Sequence, residues 1–281
     1  MLLDRRNRRR MANGMFVGAC TLATLVALAV LAAILTSLFK NGLGGVNLAV
    51  FTHDTPAPGS FGGLRNAILG SLMMCLMAMI IAVAVGLLAG TWLAEYSRNS
   101  WYAKVVRFMN DVLLSAPSIL VGLFVYQVAV RPLHGFSGLA GALALALLAV
   151  PIVTRTTEDV LKLQARTLRE SGVALGAPLW ITIRRILWKA AGGGIVTGAL
   201  LAFARISGET APLLFTSLNN QFFSLDLTQP IGALPVVIFN YALSAYDDWR
   251  RLAWVGALLI ALAVLGINIL VRVVTREPRR R

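Results

Sequence analysis

An arginine and a glutamate stand four residues apart inside an otherwise apolar stretch of this 281-residue sequence, AFARISGETAPLL at residues 202–214. Because residues i and i+4 share one face of a helix, Arg205 and Glu209 could form an ion pair, although the order with arginine first is the less favourable one. The guanidinium group also carries a planar fork of donors that fits the oxygens of an anion such as phosphate. The pair is therefore either a lock on helix packing or a site on an anion path.

The depth of Arg205 in its predicted helix bears on both interpretations. Arg205 lies about 22 Å along a helix that starts near Ala190. Charges at such a depth are costly and usually face the protein interior, although a long arginine can also extend to the membrane interface. Gly208 and Pro212 bracket Glu209 and predict a bend in the outer half of this helix. We predict that Arg205 contacts a translocated anion and that Glu209 positions it.

The composition is that of an integral membrane protein. Hydrophobic residues make up 58% of the chain and charged residues 14%, with a mean hydropathy of +0.76, whereas soluble domains carry about 25% charged residues. The net charge of +14 lies in short basic runs between apolar segments. Such runs are typical of membrane loops and lack the interleaved aromatics of a nucleic-acid-binding surface. Cys20 and Cys75 fall in apolar segments and indicate neither a disulfide nor a zinc site.

Six apolar segments reach the roughly 20 residues that a membrane span needs. They cover residues 15–38, 67–93, 112–130, 137–154, 191–214 and 253–274. Twenty Lys and Arg residues occupy four stretches, and the alternate loops hold only five; the four stretches are 1–14, 94–111, 155–190 and 272–281. Because basic loops stay in the cytoplasm, we predict an all-α fold of six transmembrane helices with both termini cytoplasmic.

The predicted domain organisation follows from these segments. A basic N-terminus, a retained first helix and an external Pro/Gly-rich linker precede a transmembrane core and a basic C-terminus, at residues 1–14, 15–38, 39–66, 67–274 and 275–281. The core contains a cytoplasmic loop at 155–190 and an external loop at 215–252. GxxxG spacing at Gly86/Gly90 and Gly194/Gly198 predicts close helix contacts, and Pro117 and Pro151 predict bends in the third and fourth helices.

The cytoplasmic loop 155–190 predicts two short helices. Thr167 precedes Glu170 by three residues, which is the spacing of a capping box, and Thr156 precedes Asp159 in the same way. Gly176 is expected to end the first helix. Pro178 then suits the first turn of the second helix.

The apolar faces of these two helices are expected to be buried against lipid or against another protein. They consist of Leu168, Gly172, Leu175, Leu179, Ile183 and Ile186. Lipid is one candidate, because Arg184, Arg185 and Lys189 would attract anionic headgroups. A partner protein with a groove for a short helix is the other.

The same loop resembles the EAA loop of ABC-importer permeases. Glu170, Gly176 and Ile186 match that pattern in register, whereas Ser171-Gly172 replace Ala-Ala and Trp188-Lys189 replace Leu-Pro. In that family the loop docks into the ATPase subunit and transmits its movement. The resemblance therefore implies a coupling role for a set of loop residues, namely Thr167, Glu170, Gly172, Gly176 and Ile186.

Longer stretches are similar to the PstA-type permeases of phosphate ABC importers, over most of residues 60–275. They include SAPSILVGLFVY, VPIVTRTTEDVL, ARISGETAPLLFT and NQFFSLDLTQPI. The resemblance implies inward movement of inorganic phosphate by alternating access across the bacterial cytoplasmic membrane. It also implies a substrate path that contains Arg205, Glu209, Thr210 and Arg155. Arg155 could instead be only a basic anchor at the inner membrane interface.

The sequence contains no GxxxxGK[ST] loop for cradling ATP phosphates and none of the common catalytic motifs. We therefore expect no catalysis and no cofactor on this chain, with ATP and Mg on a separate ATPase. The resemblance implies a second, PstC-type permease chain, a PstB-type ATPase dimer and an external PstS-type phosphate-binding protein as partners, all in or at the lipid bilayer.

Three other functions stay open at this stage. A permease of the same class for sulfate or molybdate is the nearest, although GETAPLLFT argues against it. An ATP-independent secondary carrier or channel would have no use for the loop, and a membrane-bound subunit that senses phosphate would not need to move it.

Overall fold

All regular secondary structure in residues 2–97 and 100–274, the part of the chain that this computed structural model describes, is helical. Met1 and the basic C-terminal segment predicted at 275–281 lie outside these residues. In chain order the helices are α1 (Leu2–Leu43), α2 (Ala49–Thr52), α3 (Arg65–Thr91), α4 (Trp101–Ser115), α5 (Ser118–Val125), α6 (Gly138–Lys162), α7 (Arg166–Ala174), α8 (Leu179–Thr182), α9 (Trp188–Ala190), α10 (Gly192–Ser207), α11 (Ala211–Leu214), α12 (Leu234–Ala242) and α13 (Asp247–Val274). Single π-helical turns continue three of them, at Trp92–Tyr96 after α3, Tyr126–Val130 after α5 and Ile183–Leu187 after α8.

Four helices within these residues are long and apolar enough to cross a membrane. They are Asn7–Leu43, Arg65–Tyr96, Gly138–Lys162 and Asp247–Ile269. Two bent pairs bring the number to six if each is one span. Trp101–Ser115 meets Ser118–Val130 at 106°, and Leu179–Ala190 meets Gly192–Ser207 at 74°. The all-helical membrane fold is confirmed, with two spans broken rather than continuous.

The third predicted segment, 112–130, is not one helix. Ala116 and Pro117 adopt extended conformations with ψ of 136° and 130°, and they separate α4 from α5. The ring of a proline disfavours a helical conformation in the residue before it, so the chain turns sharply instead of bending gently. Residues 101–115 form an amphipathic helix, not part of a basic loop followed by a straight span.

The fourth predicted segment continues past its expected end at residue 154. Helix α6 runs on to Lys162 with Pro151 in its interior. Membrane helices accommodate an internal proline where the helix is covered by protein, and Pro151 is buried. The Pro151 carbonyl also accepts a hydrogen bond from Asn110 Nδ2 of α4 at 3.1 Å. Two further turns of helix therefore replace the start of the predicted loop.

Helix α6 is the centre of the fold because small residues let two helices approach it closely. A Cβ atom on Gly90 of α3 would lie 2.6 Å from the Thr154 carbonyl oxygen, and one on Gly86 would lie 2.7 Å from Val153 Cβ. A Cβ atom on Gly198 of α10 would lie 2.1 Å from the Thr156 hydroxyl, and Gly194 meets Val160 in the same way. Both predicted GxxxG contacts are confirmed.

Helix α1 stands apart from this core. Its apolar window is entirely exposed in the structure. It touches the rest of the fold near its C-terminal end, where Gly42 meets Leu258 of α13, and Gly45, just beyond the helix, meets Val255.

Candidate anion path and coupling loop

Arg205 lies in the last turn of α10, and Glu209 lies just beyond the helix end. The helix closes at Gly208, and the Glu209 amide donates to the Ile206 carbonyl at 3.2 Å. Arg205 Nη1 forms an ion pair with Glu209 Oε1. The Glu209 side chain is only 7% exposed, whereas that of Arg205 is 55% exposed. The predicted pair is formed through Nη1, and more than half of the Arg205 side chain remains exposed.

The predicted weakening of this helix is confirmed, as a break rather than a bend. The fifth predicted segment, 191–214, splits into α10 and α11 at Gly208. Thr210 is the residue immediately before α11, and its carbonyl accepts from the Leu213 amide at 3.1 Å. A Cβ atom on Gly122 of α5 would lie 2.6 Å from Pro212 Cα, so α5 packs closely against this short helix.

Arg155 lies in the interior of α6, two turns before its end, and not at the end of a span as the sequence predicted. Its Nε donates to Asp159 Oδ2 at 3.2 Å, and its Nη1 lies 3.8 Å from Asp111 Oδ1 of α4. All three side chains are about half exposed, at 47%, 54% and 61%. The structure thus places Arg155 and Arg205 on different helices, each beside its own carboxylate.

Gly172 and Gly176 shape the corner of the coupling loop. Gly172 is buried, and a Cβ atom on it would lie 2.4 Å from Thr182 Oγ1. Gly176 has a φ of 70°, a left-handed conformation that favours glycine. The Gly176 amide donates to Val173 O at 2.9 Å and the Ala177 amide to Gly172 O at 3.1 Å, which is the Schellman pattern of a helix end. The prediction that Gly176 ends the first helix is confirmed.

The predicted capping box at Thr167 and the predicted helix start at Thr156 are both wrong. The residue that caps α7 is Ala165, and no side chain accepts a cap hydrogen bond there. Thr167 already lies inside the helix, where its backbone is helical and cannot take the extended geometry of a cap residue. Thr156 lies inside α6 and donates to Ile152 O at 2.8 Å instead.

The two predicted apolar faces divide between the core and the surface. Ile183 is buried and Leu168 partly buried in a cluster with Ala94 and Leu187. Ile186 is partly buried. Leu175 and Leu179 of the predicted faces are exposed at the corner between α7 and α8, together with Val173, Trp180 and Glu170. Part of the loop therefore packs on the membrane helices, and its corner is open to a partner.

Sequence reasoning missed a buried ion pair between Arg169 of α7 and Glu95 of the π-helical turn after α3. Arg169 Nε donates to Glu95 Oε2 at 2.8 Å and Nη2 to Oε1 at 2.7 Å. The two side chains are 15% and 2% exposed. The hydrogen bonds to Glu95 raise the pKa of the Arg169 guanidinium above its ordinary value. The signal in the sequence is a lone glutamate at the end of an apolar span.

A second buried carboxylate fixes α4 against α6. Glu158 accepts from Arg107 Nε at 2.7 Å and pairs with Lys162, and its side chain is 2% exposed. Arg107 Nη2 also donates to Leu93 O at 3.1 Å. Within the described residues, no group of three His, Cys, Asp or Glu side chains could hold a metal ion.

Comparison with known proteins identifies relatives along most of the chain. Residues 82–280 match the family described as binding-protein-dependent transport system inner membrane component. The chain is 56% identical to the phosphate transport system permease protein PstA of Yersinia pestis over 247 residues, 88% of this chain and 84% of that protein. It is 50% identical to the protein of the same name in Haemophilus influenzae over 264 residues, 94% of each.

A solved structure shares the fold. An inward-facing conformation of the MetNI methionine ABC transporter contains a chain that superposes with a TM-score of 0.60. The match has 19% sequence identity and covers 75% of this chain and 95% of that one.

Proposed function

The chain belongs to the inner membrane components of binding-protein-dependent transport systems and, within them, to the phosphate transport permeases named PstA; from that membership we propose that it moves inorganic phosphate inward, as a permease subunit of an ATP-driven importer. The chain is a multi-pass inner membrane protein and a transport subunit rather than an enzyme.

The observation that carries the substrate path is the exposure of Arg205 beside a buried carboxylate. One ion pair with Glu209 holds the guanidinium group in place, and 55% of the arginine side chain remains exposed. A planar fork of donors presented in this way fits phosphate oxygens. Arg205 contacts the passing phosphate, Glu209 positions Arg205 between passages, and Thr210 and Arg155 line the same path.

Alternating access supplies the direction of transport. ATP binding closes a dimer of PstB-type ATPase subunits, which pull the loop at 155–190 and open the permeases outward, and hydrolysis resets them. ATP and Mg are bound on those subunits, and no cofactor is bound on this chain. The exposed corner between α7 and α8, with Glu170 beside it, supports docking of an ATPase subunit. The coupling role belongs to Thr167, Glu170, Gly172, Gly176 and Ile186, of which Gly172 and Gly176 shape the corner.

The remaining partners are a second, PstC-type permease chain and an external PstS-type protein that delivers phosphate. The excess of Lys and Arg in alternate loops supports an orientation with both termini and the coupling loop in the cytoplasm.

Reconstitution tests this function most directly. Vesicles that contain both permease chains are prepared with and without the ATPase chain, and uptake of labelled phosphate and labelled sulfate is compared. We expect uptake of phosphate that requires the ATPase, ATP and the external binding protein. Flux without ATP would indicate a carrier or channel, and equal uptake of sulfate would indicate a broader oxyanion permease.

A further inference from the structure

The two arms of the coupling loop, α7 and α9, each bond to a residue at the C-terminal end of α3 or in its π-helical turn. The first arm, α7, reaches Glu95 through Arg169. The second arm, α9, reaches Thr91 through Trp188. Thr91 and Glu95 are four residues apart at the C-terminal end of α3 and its π-helical turn, so two points of attachment lie one helical turn from each other.

The attachment of the first arm is rigid because Arg169 has several acceptors. Besides the two bonds to Glu95, Arg169 Nη2 donates to Leu161 O at 2.7 Å and Nη1 donates to Gln164 O at 2.8 Å. The guanidinium group therefore joins α7 to the end of α3 and to the end of α6. If α7 moved alone, it would leave a charge of the pair buried without its partner, which is strongly unfavourable.

The attachment of the second arm is a hydrogen bond that sits beside an apolar cluster. Trp188 Nε1 donates to Thr91 Oγ1 at 3.1 Å, and the same hydroxyl donates to Leu87 O at 2.6 Å. The Trp188 ring packs against a cluster that includes Ala94 and Leu187. Trp188 occupies a position at which the EAA pattern has leucine, so the indole donor is a feature of this sequence rather than of the broad pattern.

The end of α3 is in turn joined to the centre of the fold. Gly86 and Gly90, which precede the π-helical turn on the same helix, pack against Val153 and Thr157 of α6 without room for a Cβ atom. Displacement of residues 91–96 therefore cannot be absorbed within α3 and must pass to α6.

We infer that Arg169–Glu95 and Trp188–Thr91 form a two-point clamp through which movement of the coupling loop is transmitted to α3 and α6. The inference rests on the proposed function, because it assigns these four residues to positioning within an ATP-driven cycle. None of them contacts phosphate or ATP. Their role is to make the loop and the end of α3 move as one body.

The number of phosphate ions imported per ATP hydrolysed, measured with the complete reconstituted importer, tests the clamp. Trp188→Phe keeps an aromatic ring and removes the N–H donor, Thr91→Val keeps the shape and removes the hydroxyl, and Arg169→Gln removes the charge. We expect each to lower the ratio about fivefold or more, while the ATPase chain still co-purifies and still hydrolyses ATP. The double variant Thr91→Val/Trp188→Phe should equal Thr91→Val alone, because Trp188→Phe removes only a bond that Thr91→Val has already removed.

Matched controls separate the clamp from general effects of substitution. Trp101→Phe changes an exposed tryptophan of α4, and Arg166→Gln changes an exposed arginine of α7, and both should keep the wild-type ratio. An unchanged ratio in all three clamp variants would overturn the inference and leave the proposed function intact, and so would a fall in uptake matched by an equal fall in hydrolysis. A wild-type importer without ATP-dependent uptake would overturn the proposed function itself, and the clamp with it.

Discussion

Two arginine–glutamate pairs in this molecule have the same chemistry and opposite surroundings. Arg169 and Glu95 are 15% and 2% exposed, and Arg169 donates to two carboxylate oxygens and three backbone carbonyls. Arg205 and Glu209 are 55% and 7% exposed, and they are joined by one ion pair. An arginine whose N–H groups are bonded to acceptors on other helices joins those helices, whereas an arginine whose side chain is mostly exposed can bind a ligand.

The pairs also differ in their separation along the chain. Glu95 and Arg169 are 74 residues apart and join separate helices. Arg205 and Glu209 are four residues apart and belong to one broken segment. The first pair therefore contributes to the tertiary fold, and the second adjusts the position of a single side chain. Substitutions at the two sites should affect different measurable properties.

Replacement of Arg205 should produce the largest effect on transport. Arg205→Ala removes the proposed contact with phosphate and should lower uptake per assembled complex by about 100-fold or more. Arg205→Lys keeps the charge but loses the planar fork, so it should retain part of the activity. Uptake of labelled phosphate in vesicles measures both. Arg131→Gln, at an exposed arginine elsewhere, is the control, and normal uptake by fully assembled Arg205→Ala would disprove the contact.

Removal of Glu95 should produce the largest effect on stability. Glu95→Ala leaves the mostly buried Arg169 without its carboxylate, which should lower the free energy of unfolding by about 3 kcal/mol. Glu209→Gln removes one ion pair from an arginine whose side chain is 55% exposed, and should cost no more than about 1 kcal/mol. Denaturation of the purified complex in detergent compares the two. Equal losses would show that burial does not distinguish the pairs.

The position of α10 decides where Arg205 is presented, and Gly198 holds that position. A Cβ atom on Gly198 would lie 2.1 Å from Thr156 Oγ1, whereas one on Gly192 would meet nothing within 4 Å. Gly198→Val should therefore push α10 from α6, cost about 1–3 kcal/mol and lower phosphate uptake. Gly192→Val on the same helix is the matched control. Thermal unfolding and uptake are measured together, and normal values for Gly198→Val would show that α6 does not hold α10 at this contact.

The smallest expected effect concerns alkaline pH. The pKa of Arg169 is raised by Glu95, so its contribution to stability is complete below the unfolded-state value and is lost only as the pH rises through the still higher folded-state value. The wild-type complex should therefore keep the stabilisation from this pair at every alkaline pH below that folded-state value. Arg169→Lys introduces a group with an ordinary pKa of about 10.4. Its complex should begin to lose thermal stability as the pH passes about 10, and identical pH profiles for both proteins would contradict this assignment.

Local features of the fold were predictable from the sequence because their causes lie within a few residues. The Arg205–Glu209 pair follows from a spacing of four residues, the break after Ser207 follows from Gly208 and Pro212, and the end of α7 follows from Gly176. The small-residue contacts of α6 with α3 and α10 follow from GxxxG spacing. Each of these sequence patterns favours one local structure over the alternatives.

Features that depend on distant residues were not predictable. Nothing in the sequence near Glu95 points to Arg169, since only the folding of the loop brings them together. Pro117 predicted a bend within 112–130. The mean hydropathy of that segment gave no sign that the chain turns by 106° at this point. Thr167 had the spacing of a cap, but α7 begins at Arg166, two residues too early for Thr167 to be its cap.

The limited attachment of α1 has a consequence for biosynthesis. Gly42, and Gly45 just beyond the helix, approach α13 at residues 251–258, which emerge from the ribosome late in synthesis. Until then α1 can enter the lipid as an independent helix, while α3, α6 and α10 assemble around their glycine seams. The contact between α1 and α13 is therefore a late event of folding, and its formation reports that the helices between them have already been inserted.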